Sequence, residues 1–243
     1  MDDLAALAQH WGEVVRPDSL EDYSSHFVDR NDILFNCGRS QVKISMCNPE
    51  MCRVQLAPDK KYRDDNHPDY FMVQKYDWPK VDFTVSDEGS YIKIATNDMV
   101  IRAQKSPFRL QMYQADNQTL LSKDSSDTGM YWQDNRIGAD KTEGPGSGGK
   151  FGFSGGDHGN TSSLNKNFGF NEFSITHGKL HVPFFISISG YGIFLNTVSK
   201  NTAFDASGGF YTDNYLDYWF MAGPSFKSIL GNYSELTGRM NLF

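Results

Sequence analysis

Apolar and polar positions alternate along most of this chain from about Ile33 onward. Val42, Ile44 and Met46 are interleaved with Lys43 and Ser45, and Val54 and Leu56 with Arg53 and Gln55. Val81, Phe83 and Val85 repeat the pattern, as do Ile92 with Ile94 and Phe108 with Leu110 and Met112. A period of two predicts strands with one buried face and one wet face. The turn-rich clusters "NPEM", "SDEGS", "TNDM" and "QADNQ" separate them. Many short strands with little helix predict a sandwich or barrel.

Two stretches have a helical period instead. Leu4, Leu7, Ala8, Trp11 and Val15 share one face of a predicted helix over 2–15, opened by Asp2 and Asp3 and ended by Pro17. Phe226, Ile229, Leu230, Tyr233 and Leu236 line one face of a second predicted helix, which Gly238 terminates. Residues 138–163 break both periods. Gly and polar residues dominate there, which predicts a long loop that is either functional or disordered. The chain therefore divides into a partly helical lead-in (1–30), a β-sandwich (31–225) carrying the loop 138–163, and a C-terminal helix with the start of a linker (226–243).

Composition narrows the functional classes. At 243 residues the chain can bury a sizeable core without staples. Its 18 Phe and 12 Tyr suit strands, and aromatic faces also suit sugar rings, with core packing the commoner use. A net charge of -7 without a basic stripe argues against a nucleic-acid partner. No apolar run reaches membrane-spanning length, so no membrane partner is expected. No charged-then-apolar leader opens the sequence, which leaves a cytoplasmic or a secreted or periplasmic location open. Cys37, Cys47 and Cys52 form no CxxC pair and are expected to be buried free thiols.

Candidate chemistry is sparse. "GPGSGGKF" from Gly144 matches a phosphate loop up to Lys150, but Phe151 stands where Ser or Thr would hold magnesium. His177 and His181 are spaced as a helical metal pair, yet Gly178 interrupts them and no third ligand is in view. No metal and no cofactor are expected. Asp157 and His158, in "GGDHG", form a binding pair if their loop faces a cleft and are loop polarity otherwise. Acids are scattered, and sequence alone pairs none of them as a glycosidase would need.

Two segments carry more information. "VPFFISISGYGIFLNT" (182–197) and "LDYWFMAGPSFKSILGNYSELTGRMNL" (216–242) resemble consecutive segments of glycoside hydrolase family 31. The resemblance implies an all-β fold of the galactose-mutarotase-like, super-sandwich type, with a short N-terminal and a C-terminal helix. In that family this domain precedes a (β/α)8 barrel holding the two catalytic Asp residues of retaining α-glycoside hydrolysis. No catalytic residue is then expected in this chain, whose end at Phe243 reads as a cut ahead of the barrel. The expected function is that of a non-catalytic N-terminal domain of an α-glucosidase-like hydrolase, supporting the barrel and shaping the rim of the sugar pocket. Its partners would be an α-glucoside or related oligosaccharide and its own catalytic barrel. A family motif resembling W-N-T-D reads "FNEF" here: Asn171 is kept, Phe170 stands for Trp and Phe173 for Asp. Either Glu172 supplies the carboxylate from the next position, or substrate preference differs from that of plain α-glucosidases. The candidate substrate-binding residues are Asn171, Glu172, Phe170, Asp157 and His158. A freestanding carbohydrate-binding module and a mutarotase-like sugar epimerase are the alternatives.

Overall fold

A computed structural model describes residues 18–67, 72–133, 136–143, 150–152, 173–175, 178–180, 183–197, 203–204, 209–213 and 215–238. The predicted helix over 2–15 lies outside them. The strands in chain order are β1 (Asp18–Ser19), β2 (Tyr23–Asp29), β3 (Asp32–Cys37), β4 (Ser40–Asn48), β5 (Met51–Ala57), β6 (Thr84–Asp87), β7 (Tyr91–Ala95), β8 (Met99–Lys105), β9 (Phe108–Gln114), β10 (Leu120–Asp124), β11 (Met130–Gln133), β12 (Arg136–Ala139), β13 (Lys141–Glu143), β14 (Lys150–Gly152), β15 (Phe173–Ile175), β16 (Gly178–Leu180), β17 (Phe184–Ser187), β18 (Tyr191–Leu195), β19 (Ala203–Phe204), β20 (Phe210–Thr212) and β21 (Leu216–Ala222). One helix, α1 (Phe226–Thr237), follows.

An eight-stranded sheet runs β14-β17-β18-β21-β5-β4-β3-β2, and a six-stranded sheet runs β13-β10-β9-β8-β7-β6. A five-stranded sheet, β1-β11-β12-β20-β19, and the β15–β16 hairpin complete the fold. Every pairing is antiparallel, which hairpin connections allow. Ile33, Phe35, Val42, Ile44, Val54 and Phe220 from the large sheet and Ile92, Ile101, Phe108 and Leu110 from the six-stranded sheet share one core. The rings of Phe35 and Phe108 lie 5.4 Å apart across it. This is the sandwich, one of the two architectures, sandwich or barrel, that the alternation predicts.

A second core lies on the opposite face of the eight-stranded sheet. Phe184, Ile186, Phe194, Trp219 and Met221 point there and meet Val73, Trp78, Ile229 and Leu236. The central strands are thus covered on both faces, and β18 and β21 are buried along their whole length. That explains why "YGIFL" and "LDYWFMA" read as continuous runs instead of alternating. It also corrects one expectation. Arg53 and Gln55 are not on a wet face, because all of β5 is buried.

Helix α1 docks through one face. Ser225 caps it, accepting from the Ser228 N–H at 3.2 Å. Ile229 and Leu236 are fully buried, and the Tyr233 ring stacks on Phe184 with centroids 4.2 Å apart. Ile229 lies so close to the sheet that a Cβ on Gly192 would meet it at 2.8 Å. Glu50, in the β4–β5 turn, accepts from Ser228 Oγ at 2.6 Å and Asn232 Nδ2 at 3.0 Å, so a polar clamp holds the same face. Phe226 and Leu230, expected on this face, are 40% and 37% exposed. The buried stripe is 229, 232 and 236, with Tyr233 half-buried beside it, and Leu230 lies one step, about 100°, round the helix from Ile229.

Two expected boundaries also shift. Strand β2 belongs to the eight-stranded sheet, so the sandwich begins before residue 31. As an edge strand it has few buried side chains, and "YSSHFVD" shows no clean period. Within the expected loop 138–163, β12 runs to Ala139, and β13 and β14 join the edges of the two large sheets. Three-residue strands held by backbone pairing leave no side-chain period to read.

Candidate functional site

The five residues singled out for substrate contact, Phe170, Asn171, Glu172, Asp157 and His158, lie outside the described residues, as do His177 and His181. The structure fixes the flanks of that region. β14 pairs with β17 at one edge of the large sheet, with Phe151 opposite Ile186. The β15–β16 hairpin begins at Phe173, directly after Glu172, with Phe173 opposite Leu180. Lys150, read from sequence as part of a glycine loop, belongs to β14 opposite Ser187.

The polar residues of the two family-like segments converge elsewhere. Asp217 of β21 and Asn196, just after β18, meet Arg53 of β5 on the outer face of the large sheet. Asp217 Oδ1 accepts from Arg53 Nε and Oδ2 from Nη2, both at 2.7 Å, a parallel fork that fits guanidinium to carboxylate. Arg53 Nη2 also donates to Asp65 Oδ1 at 2.7 Å. Asn196 Nδ2 donates to Asp217 Oδ2 at 2.9 Å and to the Tyr76 hydroxyl at 3.3 Å. The guanidinium lies 5.0 Å from the Tyr76 ring centroid and 4.8 Å from that of Trp219. Arg53 and Asp217 are 6% and 3% exposed. Burial alone would lower the Arg53 pKa, but the Asp217 and Asp65 carboxylates more than reverse this and hold it above the usual arginine range.

Arg53, Asp65, Tyr76 and Trp219 of this network line a cleft of ≈ 300 Å³ bounded also by Lys43, Asp77 and Trp78. Sequence reasoning missed it. The signal available was a lone Asp inside the apolar run "LDYWF", since Arg53 reads as a wet-face residue of its strand. An Asp is costly to bury alone, so it implies a partner. A second buried pair was hidden the same way. Lys141, within the expected loop, donates to Asp124 Oδ1 at 2.6 Å, and Asp124 Oδ2 accepts from the Leu110 N–H at 2.7 Å. Burial would lower the Lys141 pKa, and Asp124 raises it above the usual lysine range. Among the described residues, no group of three or more His, Cys, Asp or Glu side chains is placed to hold a metal ion.

Cys37, Cys47 and Cys52 are buried and free, as expected. Burial pushes the Cys37 and Cys47 thiols from 9.0 up to about 12, and burial likewise takes the Tyr76 hydroxyl from 10.0 to about 12. In the unfolded chain these groups ionise first. Above pH 9 the unfolded state therefore holds fewer protons than the folded one, and stability falls with rising pH. Urea midpoints are expected to change little between pH 7 and 8.5 through these groups, and to drop across pH 9–12. The thiols should react with a disulfide reagent at pH 8 only after denaturant is added. Fast labelling of the native protein would contradict their burial.

Comparison with known proteins agrees with this architecture. Residues 41–205 match the profile of the glycosyl hydrolase 31 N-terminal galactose mutarotase-like domain. An isomaltosyltransferase of Sporosarcina globispora is 30% identical over 182 residues, 65% of this chain and 16% of that protein. Alpha-glucosidase 2 of Bacillus thermoamyloliquefaciens is 24% identical over 227 residues, 86% of this chain and 28% of that protein. Among solved structures, a GH31 dextranase of Flavobacterium johnsoniae complexed with glucose superposes with a TM-score of 0.77 at 26% identity, over 91% of this chain and 29% of that one. The same dextranase is also known, as a mutant, complexed with isomaltotriose. The chain thus spans less than a third of the length of each of these relatives. The match covers the same sandwich strands that hold Arg53 and Asn196, and more than half of the sequence. This chain belongs to glycoside hydrolase family 31, through its N-terminal galactose-mutarotase-like domain.

Proposed function

We propose that this chain acts as the non-catalytic front domain of a retaining α-glycoside hydrolase of α-glucosidase type. One observation carries the reading. The buried carboxylate of the family-like segment 216–242, Asp217, is committed to the Arg53 guanidinium, which Asp65 shares. A retaining pair needs one free nucleophile and one protonated acid about 5–5.5 Å apart, not two acceptors sharing a cation. The chemistry then belongs to a catalytic barrel, and this domain supports it. The names of the relatives, an isomaltosyltransferase and a dextranase complexed with isomaltotriose, favour an α-glucan of the isomalto series as substrate.

The segment before β15 is assigned to the rim of the sugar pocket. Asn171 and Glu172 would offer an amide and a carboxylate to sugar hydroxyls, Phe170 an apolar wall, and Asp157 with His158 a second polar pair. In an enzyme composed of this domain and its barrel, Asn171→Ala and Glu172→Ala are expected to lower kcat/KM while the melting temperature stays nearly constant. A contact made in the transition state is read from that ratio. Unchanged kinetics in both variants would remove these residues from the pocket. A fall in melting temperature alone would make them turn residues, a role that Asn often has.

A further inference from the structure

We propose that the cleft on the outer face of the eight-stranded sheet is a second, non-catalytic saccharide subsite that binds one glycosyl unit. Three features of the cleft support this. First, it contains a preformed donor. Arg53 is nine-tenths buried and held rigid by Asp217, Asp65 and two aromatic rings, yet all its hydrogen bonds use Nε and Nη2. Nη1 has no hydrogen-bond partner among the described residues, so two charged N–H groups lie in the cleft wall already oriented. Orientation that folding has already imposed costs nothing on binding.

Second, the lining has mixed sign. Four Asp face three Lys or Arg side chains around the cleft. Arg53 already holds Asp65, and Arg30 and Lys43 offset two of the other three carboxylates, so the lining is near neutral and favours neither a strong anion nor a cation. It suits adjacent hydroxyls, which donate to a carboxylate such as Asp77 and accept from an ammonium such as Lys43. Third, the walls include the half-buried Tyr76, an aromatic side chain that offers apolar surface to the C–H face of a sugar ring. A volume of ≈ 300 Å³ is at the small end of ligand pockets and admits about one ring. The choice of saccharide rests on the family reading above; the cleft and its open donor do not.

The test is titration of the 243-residue chain with isomaltotriose, following the arginine side-chain N–H resonances by NMR. The Arg53 side-chain signals are expected to shift with a weak, saturable affinity. Asp77 is exposed and Lys43 is partly exposed, so Asp77→Asn and Lys43→Met should keep the fold. Each should weaken binding about tenfold, the cost of one lost hydrogen bond to a charged group. Lys123→Ala, at an exposed position of the other large sheet, should not. Three results would overturn the proposal: no shift at the solubility limit of the sugar, shifts that survive in both variants, or tighter binding of glucuronate or glucosamine than of isomaltotriose. Hydrolysis is not read in this experiment, so its failure would leave the front-domain reading standing.

Discussion

Asp217→Ala is expected to destabilise the domain by about 3–5 kcal/mol, because it strands a buried guanidinium. Domains of this kind have roughly 5–15 kcal/mol in total, so the loss is a large share. Arg53 would keep Asp65, but the Asp65 side chain is 41% exposed and that pair is partly screened by water. The remaining contact therefore limits the loss toward the lower end of the range. The double variant Arg53→Met with Asp217→Leu should recover most of it, since apolar groups of similar volume need no partner. Urea denaturation of the two single variants and the double variant measures this directly. If Asp217→Ala left the midpoint unchanged, the fork between β5 and β21 would be stabilising nothing.

Ile229→Ala should cost about 2–4 kcal/mol, whereas Leu230→Ala should cost about 0.5 kcal/mol or less. Both are large-to-small changes on the same helix, and only burial separates them. Ile229 is 0% exposed and abuts the backbone of Gly192 and Gly223, so truncation leaves a cavity between helix and sheet. Leu230 is 37% exposed and leaves none. The residual docking by the Glu50 clamp and the Tyr233–Phe184 stack keeps the helix attached in the Ile229 variant. Equal effects of the two substitutions would mean that α1 is seated with a different face on the sheet.

Strands whose outer face meets solvent were readable from the sequence because burial on one side imposes a period of two. β3, β4 and β7 show it plainly. Strands covered on both faces lose the period, and β18 and β21 read instead as short continuous apolar runs. Short edge pairings such as β13 and β14 depend on backbone hydrogen bonds and leave no mark in side-chain pattern. The helix was found, but two of the five residues read onto its buried face, Phe226 and Leu230, are exposed; Leu230 and Ile229 are both apolar, and only the sheet below decides between them. The buried charges were the least legible. Arg53, Asp217, Asp124 and Lys141 each look like surface residues until a partner more than ten positions away is brought within 3 Å. Asn171 and Glu172, proposed for the rim, came from a motif whose neighbours Phe170 and Phe173 depart from the family pattern, and the described residues resume only at Phe173.

The front-domain reading is most directly tested by glycosidase assay of the purified 243-residue chain on isomaltose, isomaltotriose, maltose and an aryl α-glucoside. If Asp217 and Asp65 serve Arg53 and the catalytic carboxylates lie in a barrel, released sugar should not exceed that of a heat-denatured control for any of these substrates. Turnover that co-elutes with the folded chain, and disappears when the chain is removed, would contradict the reading and place a complete catalytic pair within these 243 residues.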